Sequence, residues 1–188
     1  MNEQGLREIV NPSAVFLSER KRDTPGSVVT ASMEGTRPIM IELQALAANT
    51  SLGTPRRTIL GIDSNRVALL LAVMEKKLGF NLLGCDIFMN VAGGVKVDEP
   101  SVDMGIICAI ASSFLDKPIE EGTIVMGEVG LTGEVRAIGH IEARVAEAKK
   151  MGFKKCVAPE SNTISSGHTT LSKLVGIKYV PCTIDVLF

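Results

Sequence analysis

Two hydrophobic periods alternate along the chain, and they predict where strands and helices fall. Residues 27–33 and 38–47 are rich in Val, Ile and Thr or alternate in polarity, with Glu34-Gly35 between them, which predicts a hairpin. An apolar run at 14–17 and a charged turn precede it, and 49–58 is a polar stretch that ends in Pro55-Arg56-Arg57. Val67, Leu70, Leu71 and Met74 then recur at helical spacing, Asp63 and Ser64 are N-cap candidates, and Gly79 ends the pattern. Residues 85–91 read as a strand, and Gly93-Gly94 marks a bend or a close backbone approach. Asp98-Glu99-Pro100 opens a second helix, about 101–115, which is apolar nearly all round and therefore buried. A strand at 123–128, a tight turn into a short strand and an amphipathic helix at 140–151 follow. Ile141, Val145 and Ala148 form the apolar stripe of that helix, with Gly152 at C′. Residues 155–158 and 177–180 read as the closing strands, with a polar loop at 161–170 between them. Helices and strands alternating after a hairpin argue for one α+β domain with a mixed sheet.

The chain has 188 residues, 45% hydrophobic and 22% charged, so it can bury a core without disulfides or metal and is not a disordered segment. Twenty basic and twenty-one acidic residues exclude a strongly cationic domain and leave room for a local basic patch. Aromatics are 4%, which argues against a nucleic-acid binder built on stacking platforms. Cys85, Cys108, Cys156 and Cys182 lie far apart, and His140 and His168 are the only histidines. That spacing fits reduced cytoplasmic thiols better than a zinc site, although sequence alone does not exclude disulfides. No apolar signal segment opens the chain, and the apolar stretch 104–115 is too short to span a bilayer, so no membrane role is expected.

Two candidate chemistries stand out. The glycines from Gly127 to Gly133 look like a phosphate loop, but no Lys-Ser/Thr pair follows and a strand comes next, so a turn is expected. Ser101, after Pro100 at a helix start, could be a nucleophile beside oxyanion-stabilising amides or simply a cap.

The blocks NVAGGVKVDEPSVDMGIICAIASSFLDKPI, VMGEVGLTGEVRAIGHIEARVAEAKKMGF and CVAPESN resemble the proteolytic domain of Lon proteases. The resemblance implies their ribosomal-protein second-domain-like fold, a mixed sheet packed with helices, and a Ser–Lys dyad. Ser101 falls on the nucleophile, with Glu99 where the family has Gly and Val102-Asp103 where it has Ala-Gly. The Lys position falls on Glu142. A Glu, with a reference pKa near ~4.3, is a far weaker base than a neutral Lys, and Arg144 stays protonated. Lys96 could stand in only by swinging toward Ser101, and Asp103 adds unfavourable charge. The resemblance therefore implies a degenerate protease with no catalytic residue, the alternative being a Ser-dependent peptidase with an atypical base.

The blocks GLREIVNPSAVFLSER, GSVVTASMEGTRPIMIELQALA and PRRTILGIDSNRVALLLAVMEKKLG resemble the C-terminal half of the RadA (Sms) family of bacterial DNA repair and recombination ATPases. By that resemblance residues 1–11 are a leader or linker from an ATPase domain, and 12–188 are the Lon-like domain. ATP, Mg and Zn are expected in the family's other domains and no cofactor in this one. The implied partners are single-stranded or branched DNA, further copies in a ring (a hexamer) and replicative or recombination proteins. Arg56, Arg57, Arg66, Lys76 and Lys77 are the candidate DNA contacts, since Arg suits phosphate through its planar fork. Asp63 and Asn65 could instead order that loop by capping. A purely structural oligomerisation module is the third reading.

Overall fold

The computed structural model describes residues 11–50, 53–165 and 173–188. Helix α1 (Pro12–Leu17) is capped by the Asn11 side chain and leads to the hairpin β1 (Ser27–Glu34) and β2 (Arg37–Asn49). Strand β3 (Arg57–Leu60), helix α2 (Ser64–Leu78) and strand β4 (Cys85–Val91) follow. A 3-10 turn, Pro100–Val102, leads into α3 (Asp103–Leu115). Next come β5 (Thr123–Val125), the two-stranded ribbon β6 (Glu128–Val129) and β7 (Val135–Arg136), and α4 (Ile141–Lys150). Strand β8 (Lys155–Pro159), α5 (Glu160–Ser165), β9 (Lys173–Ile177) and α6 (Val180–Leu187) complete the chain.

The main sheet runs β3-β4-β2-β1-β5-β8-β9. It is mixed: β1–β2 and β2–β4 are antiparallel, and the remaining neighbours are parallel. The period of two in β1 and β2 divides the core. Val28, Ile41 and Leu43 enter one cluster with α2, α3 and α6, while Val29, Ala31 and Met40 enter the other, beneath α1 and α4. The fold is thus α+β, a mixed sheet between helices.

Helix α3 is the element around which the larger cluster forms. Its residues 103–112 are all buried. It can lie this close to the sheet because Gly105 has no side chain: a Cβ there would sit 3.0 Å from Leu43 Cδ1 and 3.1 Å from Thr30 Cβ. Its two serines are satisfied. Ser112 Oγ accepts from Gly26 N at 2.9 Å and donates to Lys117 O, and Ser113 Oγ accepts from Ala47 N at 3.0 Å.

Several boundaries differ from the pattern reading. The polar stretch 49–58 gives way to a strand, because Arg57–Leu60 pairs in parallel with β4. The strand expected over 123–128 breaks at Gly127, whose φ of 154° turns the chain from the main sheet into the ribbon. The closing strand is Lys173–Ile177 rather than 177–180, and Val180 begins α6, with Pro181 in its first turn. Residues 161–165 are helical, not loop, and the rest of that expected loop, with His168, lies outside the described residues. The Gly130–Gly133 segment is a turn, with Gly133 N donating to Gly130 O at 2.9 Å.

All four cysteines are free thiols, Cys85, Cys108 and Cys156 buried and Cys182 exposed. Burial pushes the Cys108 thiol far up and the Cys156 thiol to about 12. Among the described residues no helix is long and apolar enough to cross a membrane.

A branched side chain at Gly105 must push α3 off β1 and β2. Gly105→Val is expected to destabilise the domain by roughly 1–3 kcal/mol, the usual effect of overpacking a dense core. Urea unfolding measures it, and an unchanged midpoint would mean that α3 does not seat on the sheet at this residue.

Candidate functional site

Ser101 lies in the 3-10 turn that feeds α3, and only 3% of it is exposed. Its Oγ donates to Ala31 O at 3.4 Å. The group that reaches it from α4 is Arg144, which is fully buried. Arg144 Nη1 donates to Ser101 Oγ at 3.2 Å and to Ala31 O at 2.7 Å, Nε donates to Gly139 O at 2.9 Å, and Nη2 bonds Glu99 Oε1. Glu99 Oε2 in turn accepts from Met33 N at 2.8 Å and Ser32 Oγ at 3.3 Å. Burial alone would raise the Glu99 carboxyl, but the bonds from Arg144 and Met33 and the Arg144 charge hold it below its ordinary value.

Glu142, in the first turn of α4, is exposed. Lys96 is exposed as well and pairs with Asp98 at 3.3 Å. The two side chains considered as bases therefore lie outside the cluster around Ser101. Sequence gave one usable sign of the buried arginine. Position 144 falls inside the apolar stripe 141, 145, 148, so an arginine there must either break the stripe or be buried with partners.

The helix-start amides are also occupied. Val102 N donates to Glu99 O at 3.4 Å, Asp103 N to Pro100 O, and Met104 N to Gly127 O at 3.0 Å. These are the N–H groups that an oxyanion after Ser101 would call upon. Asp103, wholly buried, takes Arg66 as a two-point partner through Nε at 2.8 Å and Nη2, and accepts from Val129 N at 3.0 Å. Burial pushes the Asp103 carboxyl up, with the Arg66 and Val129 bonds offsetting part of the rise, while the bond to Asp103 raises Arg66. A groove of about 510 Å³ runs alongside, lined by Asp63, Arg66, Lys96, Asp98 and Asp103 among others.

The five sequence-named cations fall into different settings. Arg66 donates to Asp103 and Val129 O, so its fork is committed inside the protein. Arg57 holds the carbonyls of Arg56, Cys85 and Leu82. Arg56, Lys76 and Lys77 are exposed, as is Arg57 outside its bonded donors. The bond from Arg57 to Leu82 and that from Leu83 N to Glu75 tie the start of β3 to the last turns of α2, so these cations share one end of the domain. Asp63 caps α2 by accepting from Asn65 N and Arg66 N. Among the described residues no group of three or more His, Cys, Asp or Glu is placed to hold a metal.

The depressed Glu99 carboxyl implies an acid dependence. Its contribution to stability is complete above the ordinary carboxyl value of 4.5 and is lost as pH falls through the lower value of the folded state. Glu99→Gln is expected to be less stable than the parent at pH 7, with the gap narrowing below about pH 4.5. Thermal unfolding from pH 7 to 3 measures it. A gap of constant size would show that the Arg144–Glu99 pair does not set the acid response.

The family model of the Lon protease (S16) C-terminal proteolytic domain matches residues 75–176. DNA repair protein RadA of Bacillus subtilis (strain 168) is 55% identical over 162 residues, 86% of this chain and 35% of the relative. RadA of Halalkalibacterium halodurans is 47% identical over 186 residues, 99% of this chain and 41% of the relative. RadA of Streptococcus pyogenes serotype M1 is 43% identical over 188 residues, 100% of this chain and 42% of the relative. The chain thus spans well under half the length of these relatives. The family match covers more than half of the chain and includes Ser101, Arg144 and the elements that bring them together, so the chain belongs to the Lon protease C-terminal proteolytic domain family and, within it, is similar to the DNA repair protein RadA.

Proposed function

We propose that this domain is a non-catalytic Lon-like module of a DNA-repair ATPase, serving as oligomeric scaffold and DNA contact surface. One observation carries the non-catalytic part: Ser101 Oγ sits under the permanently charged Arg144, with Glu142 exposed. A guanidinium that donates to the serine cannot accept its proton, and the carboxylate beside the serine, Glu99, is held below its ordinary value by Arg144, which makes it a poor base. The occupied amides after Ser101 argue the same way. The RadA relatives support the repair setting, and ATP, Mg and Zn belong, in this reading, to parts of the protein outside this chain.

Two surfaces support the remaining roles. Arg56, Lys76 and Lys77 form an exposed cationic end suited to DNA phosphates, single-stranded or branched. A groove of about 220 Å³, lined by Ile59, Val67, Leu71, Leu82 and Leu83 and bordered by Arg57, suits contact between copies in a ring. Replicative or recombination proteins are the further partners, and the setting is cytoplasmic.

A serine-reactive phosphonate is expected to leave Ser101 unlabelled, and Glu142→Lys is expected to yield no peptidase activity, because Arg144 still holds the serine. Mass spectrometry and a fluorogenic peptide assay read both outcomes, and labelling of Ser101 in the parent would restore the peptidase reading. Replacing Arg56, Lys76 and Lys77 by Gln is expected to lower the log–log salt slope of single-strand binding by about 2, at ~0.7 per phosphate contact. Anisotropy titrations at several salt concentrations test this. An unchanged affinity would leave only the assembly role at that end.

A further inference from the structure

The arginines named from sequence are largely committed: Arg66 to Asp103 and Val129, Arg57 to three carbonyls. Besides the exposed Arg56, guanidiniums with open donors lie on another part of the surface. Between α1, the start of β5 and the loop after α4 runs a groove of about 570 Å³. Arg20, Arg22, Glu121, Gly122, Gly152 and Phe153 line it, and Phe153, half-buried, also packs against the smaller core cluster.

Arg20 is fixed by one contact, Nε to Ser27 Oγ at 3.1 Å, and Ser27 Oγ donates to the buried Glu42 at 2.6 Å. Among the described residues neither Nη of Arg20 has a hydrogen-bond partner. The group is thus held by its Nε side while its fork stays open. Desolvation lowers the Arg20 pKa, with the Glu42 and Glu121 charges opposing, so the guanidinium sits where an anion would relieve it. Arg22 pairs with Glu121 at 2.8 Å, but both side chains are well exposed and such a pair is easily exchanged for a phosphate. Lys154, directly after Phe153, is exposed, and Lys149 and Lys150 in the last turn of α4 offset the negative end of that helix.

We infer that this groove is a second single-strand contact, with phosphates against Arg20, Arg22 and Lys154 and one base against Phe153. It rests on the DNA-contact reading above and places a further contact on a different face. The chain's low aromatic content rules against a run of stacking platforms, whereas this groove has one lining ring beside two lining arginines, with Lys154 next along the chain. Guanidinium donors anchor the strand, and the ring distinguishes a base-bearing strand from a bare polyanion.

The test uses the chain described here, with a labelled thymidine oligonucleotide and an abasic oligonucleotide of equal length, titrated at several salt concentrations. Arg22→Gln/Lys154→Gln is expected to lower the salt slope by about 1.4, two contacts at ~0.7 each. Phe153→Leu is expected to weaken binding of the thymidine strand roughly ten-fold and to leave the abasic strand unchanged. Circular dichroism checks that both variants fold, and the first does not depend on the half-buried ring. Wild-type binding by both variants, with loss only on replacing Arg56, Lys76 and Lys77, would overturn the groove and keep the broader reading. Absence of strand binding by the parent chain would overturn both.

Discussion

A buried arginine with all three of its guanidinium nitrogens hydrogen-bonded is the interaction on which the site depends. Arg144 joins β1 through Ala31 O, the turn before α3 through Ser101 Oγ and Glu99, and the entry to α4 through Gly139 O. A lone charge in that position would be very unfavourable, so the carbonyls and the carboxylate must be held before the guanidinium can stay. The glutamate and the serine meet the same guanidinium, which lies against both. The polar atoms around Ser101 thus bond one another.

The same logic extends to the neighbouring ion pair. Asp103 and Arg66 link the start of α3 to α2, and Val129 adds the ribbon through its N–H. Together the two arginines tie α2, α3, α4, β1 and the ribbon around one turn. Helix α3 can be apolar on all sides because these bonds satisfy its polar first turn while Ser112 and Ser113 satisfy its last. Asn162 adds a further tie, its side chain bonding both N–H and C=O of Ile138, the residue before Gly139. The loop that supplies an Arg144 partner is thereby held from α5.

Much of this was legible in the chain. The hairpin, α2 with its Asp63 cap, buried α3 and amphipathic α4 follow from period and capping, which are local signals. Strand β3 escaped because four residues pairing only with β4 carry too little pattern, and their arginines read as loop. Helix α6 escaped because its apolar residues continue those of β9, and only Pro181 marks the change. At the site, Ser101 at a helix start could be read from the chain, and Glu142 at the lysine position from the family resemblance. That Arg144 and Glu99 bond each other could not, since they are 45 residues apart and meet only through the sheet. Sequence also grouped Arg57 and Arg66 with cations free to meet a phosphate, because it does not show which carbonyls and carboxylates they bond.

The thiols carry a chemical consequence of their own. A thiol that burial pushes to about 12 stays protonated at neutral pH, and the thiolate is the reactive form. Cys156 is therefore inert to alkylation and peroxide while the core stays closed, and Cys108, shifted in the same direction, is equally protected. Cys182, exposed in the first turn of α6, is the accessible thiol. Maleimide chemistry on the native fold thus marks α6, whereas labelling at the interior sulfurs reports that the domain has opened, so the cysteines serve as a built-in clock for its unfolding.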